Sequence, residues 1–355
     1  MPALVSRPEQ VTPAWLTDVL REGGALDRDS RVVALDATPI GTGQVGANVR
    51  FVLTYDGEPG PPTVVCKFAS ADPDSAAAGV STLTYETEVA FYRELAHTVH
   101  VSRPHCYYAD LEHGTANVVI VLEDLAPAEQ GDQIQGCTVE QAELVMDEAA
   151  KLHAPRWGDP ALASMPWLNR PPSGGTVLLL FWDGFLARYR EALAPATIEE
   201  GQRLVGAVGA LQDLRPLAPT AIHGDFRLDN MLFDSSSAAR PVTVVDWQTV
   251  HVGSGPQDVA YFIGNAFSDV DERREHQERL VRRYHDLLVE GGVKGYTFDQ
   301  CWFEYRRHGY ASLIMAIAAS MLVGRTERGD RMFMAMADRS AQLARDVDTF
   351  GALTG

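Results

Sequence analysis

The chain has 355 residues, of which 46% are hydrophobic and 22% are charged, and its formal net charge is −18. This length exceeds the roughly 100–200 residues of one ordinary domain, so two domains or lobes are expected. The composition is that of a folded protein and excludes disordered and fibrous classes. The negative charge disfavours nucleic acid and anionic membrane surfaces as partners, because both would repel the chain at long range. Neutral or cationic small molecules fit better.

The 4 cysteines lie far apart and form no CxxC pair. This spacing predicts neither a zinc site nor a disulfide framework. The first residues lack the apolar core of a signal peptide, and the longest apolar run, around Leu313–Val323, is too short to span a bilayer. We therefore expect a buried helix at this run, a cytoplasmic location, and a monomer or homodimer.

The first half of the chain reads mostly as strands. It opens with TPAWLTDVL at residues 12–20, whose apolar residues share one helical stripe behind an N-capping threonine. Alternating, β-branched stretches at Val32–Leu35, Val49–Tyr55 and Thr63–Phe68 then predict antiparallel strands of one sheet. The helical periodicity of Ser81–His97 predicts one helix inserted among these strands.

The run VVIVLEDLAP from Val118 predicts a buried strand that leaves the sheet. We place the lobe boundary near Leu125, with residues 1–125 in one lobe and 126–355 in the other. The second lobe is predicted to be mainly helical, with only Met231–Phe233 and Val242–Asp246 as strands. Its predicted helices are Val139–His153, Leu178–Ala192, Glu199–Leu214, Asp258–Ala266, Glu275–Val289 and two long segments after Phe298.

The strongest chemical signal is IHGDFRLDNMLFD at residues 222–234, followed by PVTVVDWQ at residues 241–248. Asp225, Asn230 and Asp246 supply the minimal set for metal-assisted phosphoryl transfer. One carboxylate would orient or deprotonate an attacking hydroxyl, while an amide oxygen and a second carboxylate would hold Mg²⁺. A hairpin would bring the last two to the same end of two strands. The alternative, that these residues only make turns and caps, explains the spaced set less well.

Gly41, Gly43 and Gly46 form a literal GxGxxG. A dinucleotide-binding motif needs a strand before it and a helix after it, but here a strand pattern follows. This context favours a glycine-rich hairpin that covers phosphates. Lys67 lies in the apolar strand TVVCKF. A buried ammonium is costly unless it is paired, and a phosphate with a carboxylate would supply that pairing.

Together, HGDFRLDN, VVDWQ and GSGPQDVAYF resemble the catalytic core of the aminoglycoside phosphotransferase, choline kinase-like and ecdysteroid kinase-like group, most specifically over residues 222–267. The resemblance implies a bilobal, protein-kinase-like α+β fold. It would have a small N-terminal antiparallel sheet lobe with an inserted helix and a larger, mainly helical C-terminal lobe. The implied activity transfers the γ-phosphoryl of ATP, or of GTP, to a hydroxyl of an antibiotic or metabolite with Mg²⁺. The acceptor and the choice of nucleotide stay open.

The resemblance implies roles for residues in the second lobe. Asp225 would be the catalytic base, and Asn230 and Asp246 the metal ligands. Three further residues support them. His223 would be a structural member of the loop. Asp258 would hydrogen-bond the loop, and the alternative of a plain N-cap is compatible with that role. Arg227 would either contact the γ-phosphate or make a surface salt bridge.

In the first lobe, the resemblance places Lys67 on the α- and β-phosphates. Its carboxylate partner from the inserted helix would be Glu88, with Glu86 as the alternative. The segment LEDL resembles the hinge, where the backbone of Glu123 and Leu125 would hydrogen-bond a purine.

Two competing interpretations remain. A protein kinase is disfavoured, because HGD replaces HRD and no DFG-to-APE segment is present. A catalytically silent nucleotide-binding or regulatory protein of the same fold would bind nucleotide without turnover. The aromatic residues of the second lobe, Tyr261 among them, are expected mostly in the core.

Overall fold

The computed structural model describes residues 2–41, 46–169 and 174–355. Its contacts divide the chain into two compact units, each with its own core. The first unit comprises Met1–His97, Arg103–Pro127 and Asp246–Gln248, and the second comprises Thr98–Ser102, Ala128–Val245 and Thr249–Gly355.

The first unit contains a five-stranded antiparallel sheet in the order β1-β2-β3-β5-β4. Its strands are β1 (Arg31–Ile40), β2 (Gly46–Asp56), β3 (Thr63–Ala69), β4 (Cys106–Leu111) and β5 (Val118–Glu123). The four strands predicted from sequence are confirmed. Strand β4 was not predicted, because buried and exposed residues do not alternate along it.

Helix α1 (Pro13–Glu22) packs on this sheet. The hydroxyl of Thr12 accepts a hydrogen bond from the N–H of Trp15 at 3.2 Å, which confirms the predicted N-cap. The buried stripe of the helix includes Leu16 and Val19, and it contributes to one apolar core with the inward residues of β2, β3 and β5.

The segment between β3 and β4 is broken into short helices: α2 (Pro73–Ser81), α3 (Thr84–Ala90) and a π-helical turn at Phe91–Leu95. The larger part of the predicted helix Ser81–His97 is confirmed, because helical backbone runs on from Thr84 through Phe91 and Ala96 as it changes from α to π and then to 3-10 geometry. Leu83 adopts a φ of 57°, in the left-handed region, which separates this helix from α2 and makes it begin later than predicted. No glycine or proline marks this break in the sequence.

The second unit is mainly helical, as predicted. Its helices are α4 (Val139–His153), α5 (Gly174–Tyr189), α6 (Pro195–Gly206), α7 (Val208–Asp213), α8 (Gly255–Ala266), α9 (Val270–Glu290), α10 (Phe298–Arg307), α11 (Ala311–Leu322), α12 (Glu327–Asp346) and α13 (Thr349–Thr354). Helix α4 has the predicted bounds. The predicted helix Glu199–Leu214 is two helices, because Ala207 leaves helical geometry at a ψ of 13°. Four helices, rather than two, follow Thr297.

Five short strands complete the second unit: β6 (Glu129–Gln130), β7 (Pro219–Ile222), β8 (Met231–Phe233), β9 (Val242–Val244) and β10 (His251–Ser254). They form a sheet in the order β6-β8-β9 and a separate β10-β7 pair. The sequence predicted only β8 and β9, because the partners with which β6, β7 and β10 pair lie far away in the chain.

A large apolar core joins α5, α6, α8, α11 and α12. Leu313, Ala316 and Ile317 of α11 are fully buried in it, so the longest apolar run is a buried helix, as predicted. None of the helices in the described part of the chain is long and apolar enough to cross a membrane.

Candidate active site

The HGD motif lies on a loop, residues 223–230, that connects β7 to β8. We call it the catalytic loop. Gly224 adopts a φ of 82°, and a Cβ there would lie 2.7 Å from the carbonyl oxygen of Thr249. The turn therefore needs a glycine, because this position combines left-handed backbone with a close approach.

Asp258, a fully buried residue of α8, anchors this loop. Its two carboxylate oxygens accept the backbone N–H groups of His223 at 2.7 Å and of Gly224 at 2.9 Å. His153 Nε2 lies 3.2 Å from the same carboxylate. Burial would raise the pKa of Asp258, but these partners outweigh burial and hold the pKa below its usual value. The N-cap of α8 is Ser254, so the interpretation of Asp258 as a plain N-cap is wrong.

Asp225 is buried at the centre of the loop and accepts several hydrogen bonds. The Tyr261 hydroxyl donates to Oδ1 at 2.6 Å, and Arg227 Nε lies 3.1 and 3.0 Å from the two carboxylate oxygens. Burial would raise the pKa of Asp225, but the charge of Arg227 and the hydrogen bond from Tyr261 keep it below its usual value. The carboxylate is therefore ionised and held in one orientation.

Asn230 is bonded to Asp225 through its amide nitrogen. Nδ2 donates to the carbonyl oxygen of Asp225 at 2.8 Å and to its Oδ2 at 2.9 Å. This geometry directs the amide oxygen of Asn230 away from Asp225. The backbone carbonyl of Asn230 accepts the N–H of Val245 at 2.9 Å, and β8 pairs with β9 in antiparallel register. The predicted hairpin is thus present, and Asp246 follows Val245 directly in the chain.

His223 also contacts this hairpin, because its Nε2 donates to the carbonyl oxygen of Val245 at 3.0 Å. Its backbone N–H, as described above, is held by Asp258. His223 therefore links the catalytic loop to the end of β9 from both its main chain and its ring.

Arg227 lies between two carboxylates. Besides Asp225, it contacts Asp229, whose Oδ2 accepts from Nη1 at 3.0 Å. Only 17% of its side chain is exposed. The alternative interpretation of Arg227 as a surface salt bridge is therefore wrong: it is a largely buried cation beside Asp225.

In the first unit, Lys67 of β3 contacts two carboxylates. Its Nζ lies 2.6 Å from Glu88 Oε2 and 2.5 Å from Asp246 Oδ1. We call these three residues the Lys67 cluster. Burial would lower the pKa of Lys67, but the two carboxylates raise it above its usual value. The alternative partner Glu86 is wrong, because it instead accepts the N–H of Gly114 at 3.1 Å.

The segment Asp246–Gln248 is held by the helical segment that carries Glu88. The Trp247 ring stacks on Phe91 with centroids 4.0 Å apart and planes 7° from parallel. The backbone N–H of Trp247 donates to the Glu88 carboxylate. Asp246 adopts a left-handed φ of 68° and accepts from Gln248 Nε2 at 3.0 Å. Such a conformation costs about 1–3 kcal/mol and persists only where neighbouring contacts enforce it.

The glycine-rich segment lies between β1 and β2. Gly41 has a φ of 75° and Gly46 begins β2, whereas Gly43 lies outside the described residues. A strand follows the segment, so the helix that a dinucleotide-binding motif requires is absent there.

The predicted hinge begins where β5 ends. The N–H of Glu123 donates to the carbonyl of His105 at 2.8 Å, so this N–H is already used within the sheet. Leu125 lies just before the cis peptide bond Ala126–Pro127. Between the two, Asp124 accepts both Nε and Nη2 of Arg50, at 2.6 and 2.9 Å. This fork fixes the start of the hinge to β2.

Tyr261 was expected in the core and is buried there, but its hydrogen bond to Asp225 was not predicted. Asp258 and Tyr261 are three residues apart on one helix and so share a face, which is the signal that would have found it. Burial and the charge of Asp225 raise the pKa of Tyr261, so its hydroxyl stays a donor.

In the described part of the chain, no group of three or more His, Cys, Asp or Glu side chains is placed to hold a metal ion.

Comparison with known proteins relates this geometry to a family. The model of the phosphotransferase enzyme family (APH) matches residues 36–297. Choline kinase from Cryptosporidium parvum is 10% identical, with a TM-score of 0.56, over 95% of this chain and 96% of that chain. Ethanolamine kinase from Plasmodium vivax is 11% identical, with a TM-score of 0.55, over 88% of this chain and 83% of that chain.

The GDP complex of aminoglycoside 2'-phosphotransferase-IIIa is 13% identical, with a TM-score of 0.51, over 92% of this chain and 97% of that chain. At these identities, the three structures show similarity of fold. No curated protein sequence matches the chain significantly.

Proposed function

The chain belongs to the phosphotransferase enzyme family, and we propose that it transfers the γ-phosphoryl group of ATP or GTP to a hydroxyl of a small-molecule acceptor. The observation that carries this proposal is the catalytic loop. There, Asp225 accepts the Asn230 amide at 2.9 Å, while the backbone of the preceding turn is bonded to Asp258. A pre-oriented carboxylate beside an amide is what phosphoryl transfer to an alcohol requires, since positioning supplies most of the catalysis.

Asp225 is proposed to orient the acceptor hydroxyl and accept its proton. As the acceptor oxygen forms its bond to the γ-phosphorus, the bond to the β-phosphate oxygen breaks, and a nucleoside diphosphate leaves. Tyr261, Arg227 and Asn230 hold the Asp225 carboxylate in one orientation. Orientation of the hydroxyl is therefore its main contribution, with proton transfer following late, as suits a loose transition state.

The phosphates are assigned to cationic side chains. An ammonium has three N–H donors. Lys67 uses two of them on Glu88 and Asp246, both within 2.8 Å, and the third is proposed to contact an α- or β-phosphate oxygen. Arg227 is assigned to the γ-phosphoryl group, because it is the cation bonded to Asp225. Gly41, Gly43 and Gly46 are proposed to let the backbone approach the phosphates.

The purine is proposed to lie against the hinge. Because the N–H of Glu123 is used within the sheet, the purine would contact its carbonyl oxygen and the N–H of Leu125. GTP is proposed as a phosphoryl donor alongside ATP, since a protein of similar fold forms a GDP complex.

Asn230 and Asp246 are proposed to hold Mg²⁺, and their chemistry fits this ion. Both offer oxygen ligands, which Mg²⁺ prefers. One positive and two negative side chains leave the Lys67 cluster with a net charge of about −1 when all three are ionised, which favours a cation. Bound Mg²⁺ would neutralise phosphate charge. The protein would orient these ligands through the Val245–Asn230 hydrogen bond and the Trp247–Phe91 stack.

The proposal is tested by the consumption of ATP and of GTP with Mg²⁺. The acceptor panel contains aminoglycosides, choline, ethanolamine, other amino alcohols and sugars. The active-site variant is Asp225→Asn, and the matched control is Asp213→Asn, an exposed residue of α7. We expect one acceptor to stimulate turnover in wild type and in the control but not in Asp225→Asn.

Two other outcomes would count against the proposal. Equal turnover in wild type and Asp225→Asn would remove Asp225 from its assigned role. Tight nucleotide binding without turnover on any acceptor would favour a catalytically silent binding protein.

A further inference from the structure

The carboxylate of Asp229, next to Asn230 in the catalytic loop, is bonded to three separate parts of the second unit. Its Oδ1 accepts the backbone N–H of Gln133 at 2.9 Å. Its Oδ2 accepts Arg227 Nη1 at 3.0 Å. Arg328, on the first turn of α12, reaches both oxygens, with Nη1 and Nη2 each at 3.2 Å. The Asp229 carboxylate is therefore paired with two arginines, Arg227 and Arg328.

Helix α12 lies beyond residues 36–297, the part of the chain that matches the family model. It nevertheless touches the catalytic loop twice. Besides Arg328, the sulfur of Met332 lies 3.1 Å from Arg227 Nη1. The C-terminal part of this chain thus supplies contacts to the loop that the family model does not cover.

The position of α12 is fixed independently of Arg328. Arg339, three turns further along, donates to the carbonyl oxygens of Gln133, Asn265 and Ile134 at 2.8, 3.0 and 2.7 Å. Gln133 in turn accepts the N–H of Leu228 at 3.0 Å through its side chain. Replacing Arg328 should therefore leave the helix in place.

The charges of this group explain why two arginines are needed. Asp225, Arg227 and Asp229 alone would carry one excess negative charge in a largely buried place, which is costly. Arg328, which also lies 3.9 Å from the half-exposed Asp132, makes the group of four residues neutral. We call these four residues the loop cluster. Without Arg328, Asp229 would have Arg227 as its remaining charged partner, apart from more distant groups.

We propose that Arg328 is a positioning residue, which keeps Asp229 paired so that Arg227 can leave it for the phosphoryl group being transferred. The proposal rests on the function proposed above. It makes Arg328 act through Asp229 and Arg227, without contacting nucleotide or acceptor itself. Since an anionic phosphoryl group arrives beside Asp225, the cation that meets it must be released from Asp229 at little cost.

The first test is the variant Arg328→Gln, with Arg331→Gln as matched control. Arg331 is an exposed arginine three residues further along α12. The assay is Asp225-dependent nucleotide consumption, with the best acceptor or, failing one, with water. We expect Arg328→Gln to lower kcat about 10–100-fold and to change the nucleotide KM less than about threefold. Arg331→Gln should match wild type.

A double-variant test separates this role from a structural one. In Asp229→Asn the carboxylate is gone, so Arg227 no longer needs release, and adding Arg328→Gln should then cost less than about twofold in kcat. If Arg328→Gln lowered kcat by the same factor with and without Asp229→Asn, the proposal would be overturned. Thermal unfolding of each variant reports folding, and Arg328→Lys, which keeps the charge, should recover part of the lost kcat.

The two proposals fail in different ways. If wild type and Asp225→Asn consume nucleotide equally, the proposed function falls, and the role of Arg328 falls with it. If consumption depends on Asp225 but Arg328→Gln matches wild type, only the role of Arg328 is overturned. A rise in KM with unchanged kcat would also overturn it, because that result would mean that Arg328 binds substrate directly.

Discussion

The Lys67 cluster and the loop cluster are both built from buried carboxylates and cations, but their charges balance differently. In the Lys67 cluster one lysine faces two carboxylates. In the loop cluster two arginines face two carboxylates. The first is one positive charge short of neutral and is suited to receive a cation. The second is already neutral, so it can hold Asp225 in place before any ligand binds.

The ways in which the two clusters are fixed differ as well. The loop cluster is held by neighbours on α8 and α12, through Tyr261 and Met332. The Lys67 cluster depends on the stack of Trp247 on Phe91 and on a strained backbone at Asp246. We infer that substitutions in the Lys67 cluster lower nucleotide affinity, whether or not the rate of transfer also falls, and that substitutions around the loop cluster lower the rate of transfer with little change in affinity.

The largest effect is expected from Asp246→Ala. This change removes a proposed ligand and makes the Lys67 cluster neutral, so Mg²⁺-dependent nucleotide affinity should fall at least about 100-fold. Calorimetric titration with and without EDTA would measure it, and EDTA should have little further effect on the variant. Asp56→Ala, which breaks only an exposed ion pair with Arg31, is the control. An unchanged affinity would mean that the charge deficit of the cluster has no role in binding.

A smaller effect is expected from Lys67→Ala. Nucleotide affinity and kcat should fall together, each about 10-fold, because the phosphate contact is lost. Stability should also fall, by about 3 kcal/mol, since the variant leaves Glu88 buried without its cation. Glu88→Gln added to Lys67→Ala should recover part of that stability in denaturant titrations. If kcat were unchanged, Lys67 would not be the phosphate contact.

The smallest effect is expected from Tyr261→Phe, which removes one hydrogen bond from Asp225. A hydrogen bond to a charged group contributes about 1.5–3 kcal/mol, but this bond to Asp225 is present both before and during transfer, so kcat should fall by less than about 10-fold with KM unchanged. Tyr310→Phe is the matched control. Its hydroxyl donates to the buried carboxylate of Glu200 at 2.7 Å, in the same unit but outside the loop cluster.

Tyr310→Phe should lose a similar amount of stability and keep full kcat. Equal kcat in the two variants would show that the hydroxyl of Tyr261 has only a structural role. Such a result would leave Arg227 and Asn230 as the side chains that orient Asp225.

The amino-acid sequence was most informative where the functional residues lie in short contiguous motifs. HGDFRLDN, VVDWQ and GSGPQDVAYF identified the family, and the match over residues 36–297 confirms it. The α+β class is confirmed as well, with the antiparallel sheet of the first unit and the helices of the second. Periodicity located α1 and α4, because each buries one continuous stripe.

The errors have a common physical cause. Leu83 delays the start of the predicted helix through a backbone conformation that its residue type does not indicate. Strands β6, β7 and β10 exist because partners far away in the chain supply their hydrogen bonds. Local propensity does not carry this information.

The sequence by itself determined which residues do the proposed chemistry, because their types and spacing are local properties of the chain. Only the tertiary structure decided how those residues are held. Arg328 pairs with Asp229, Tyr261 bonds Asp225, and Trp247 stacks on Phe91. Each contact joins side chains from separate helices, strands or loops, and it depends on where the cores place those elements. The charge balance that distinguishes the two clusters is likewise a property of the folded chain.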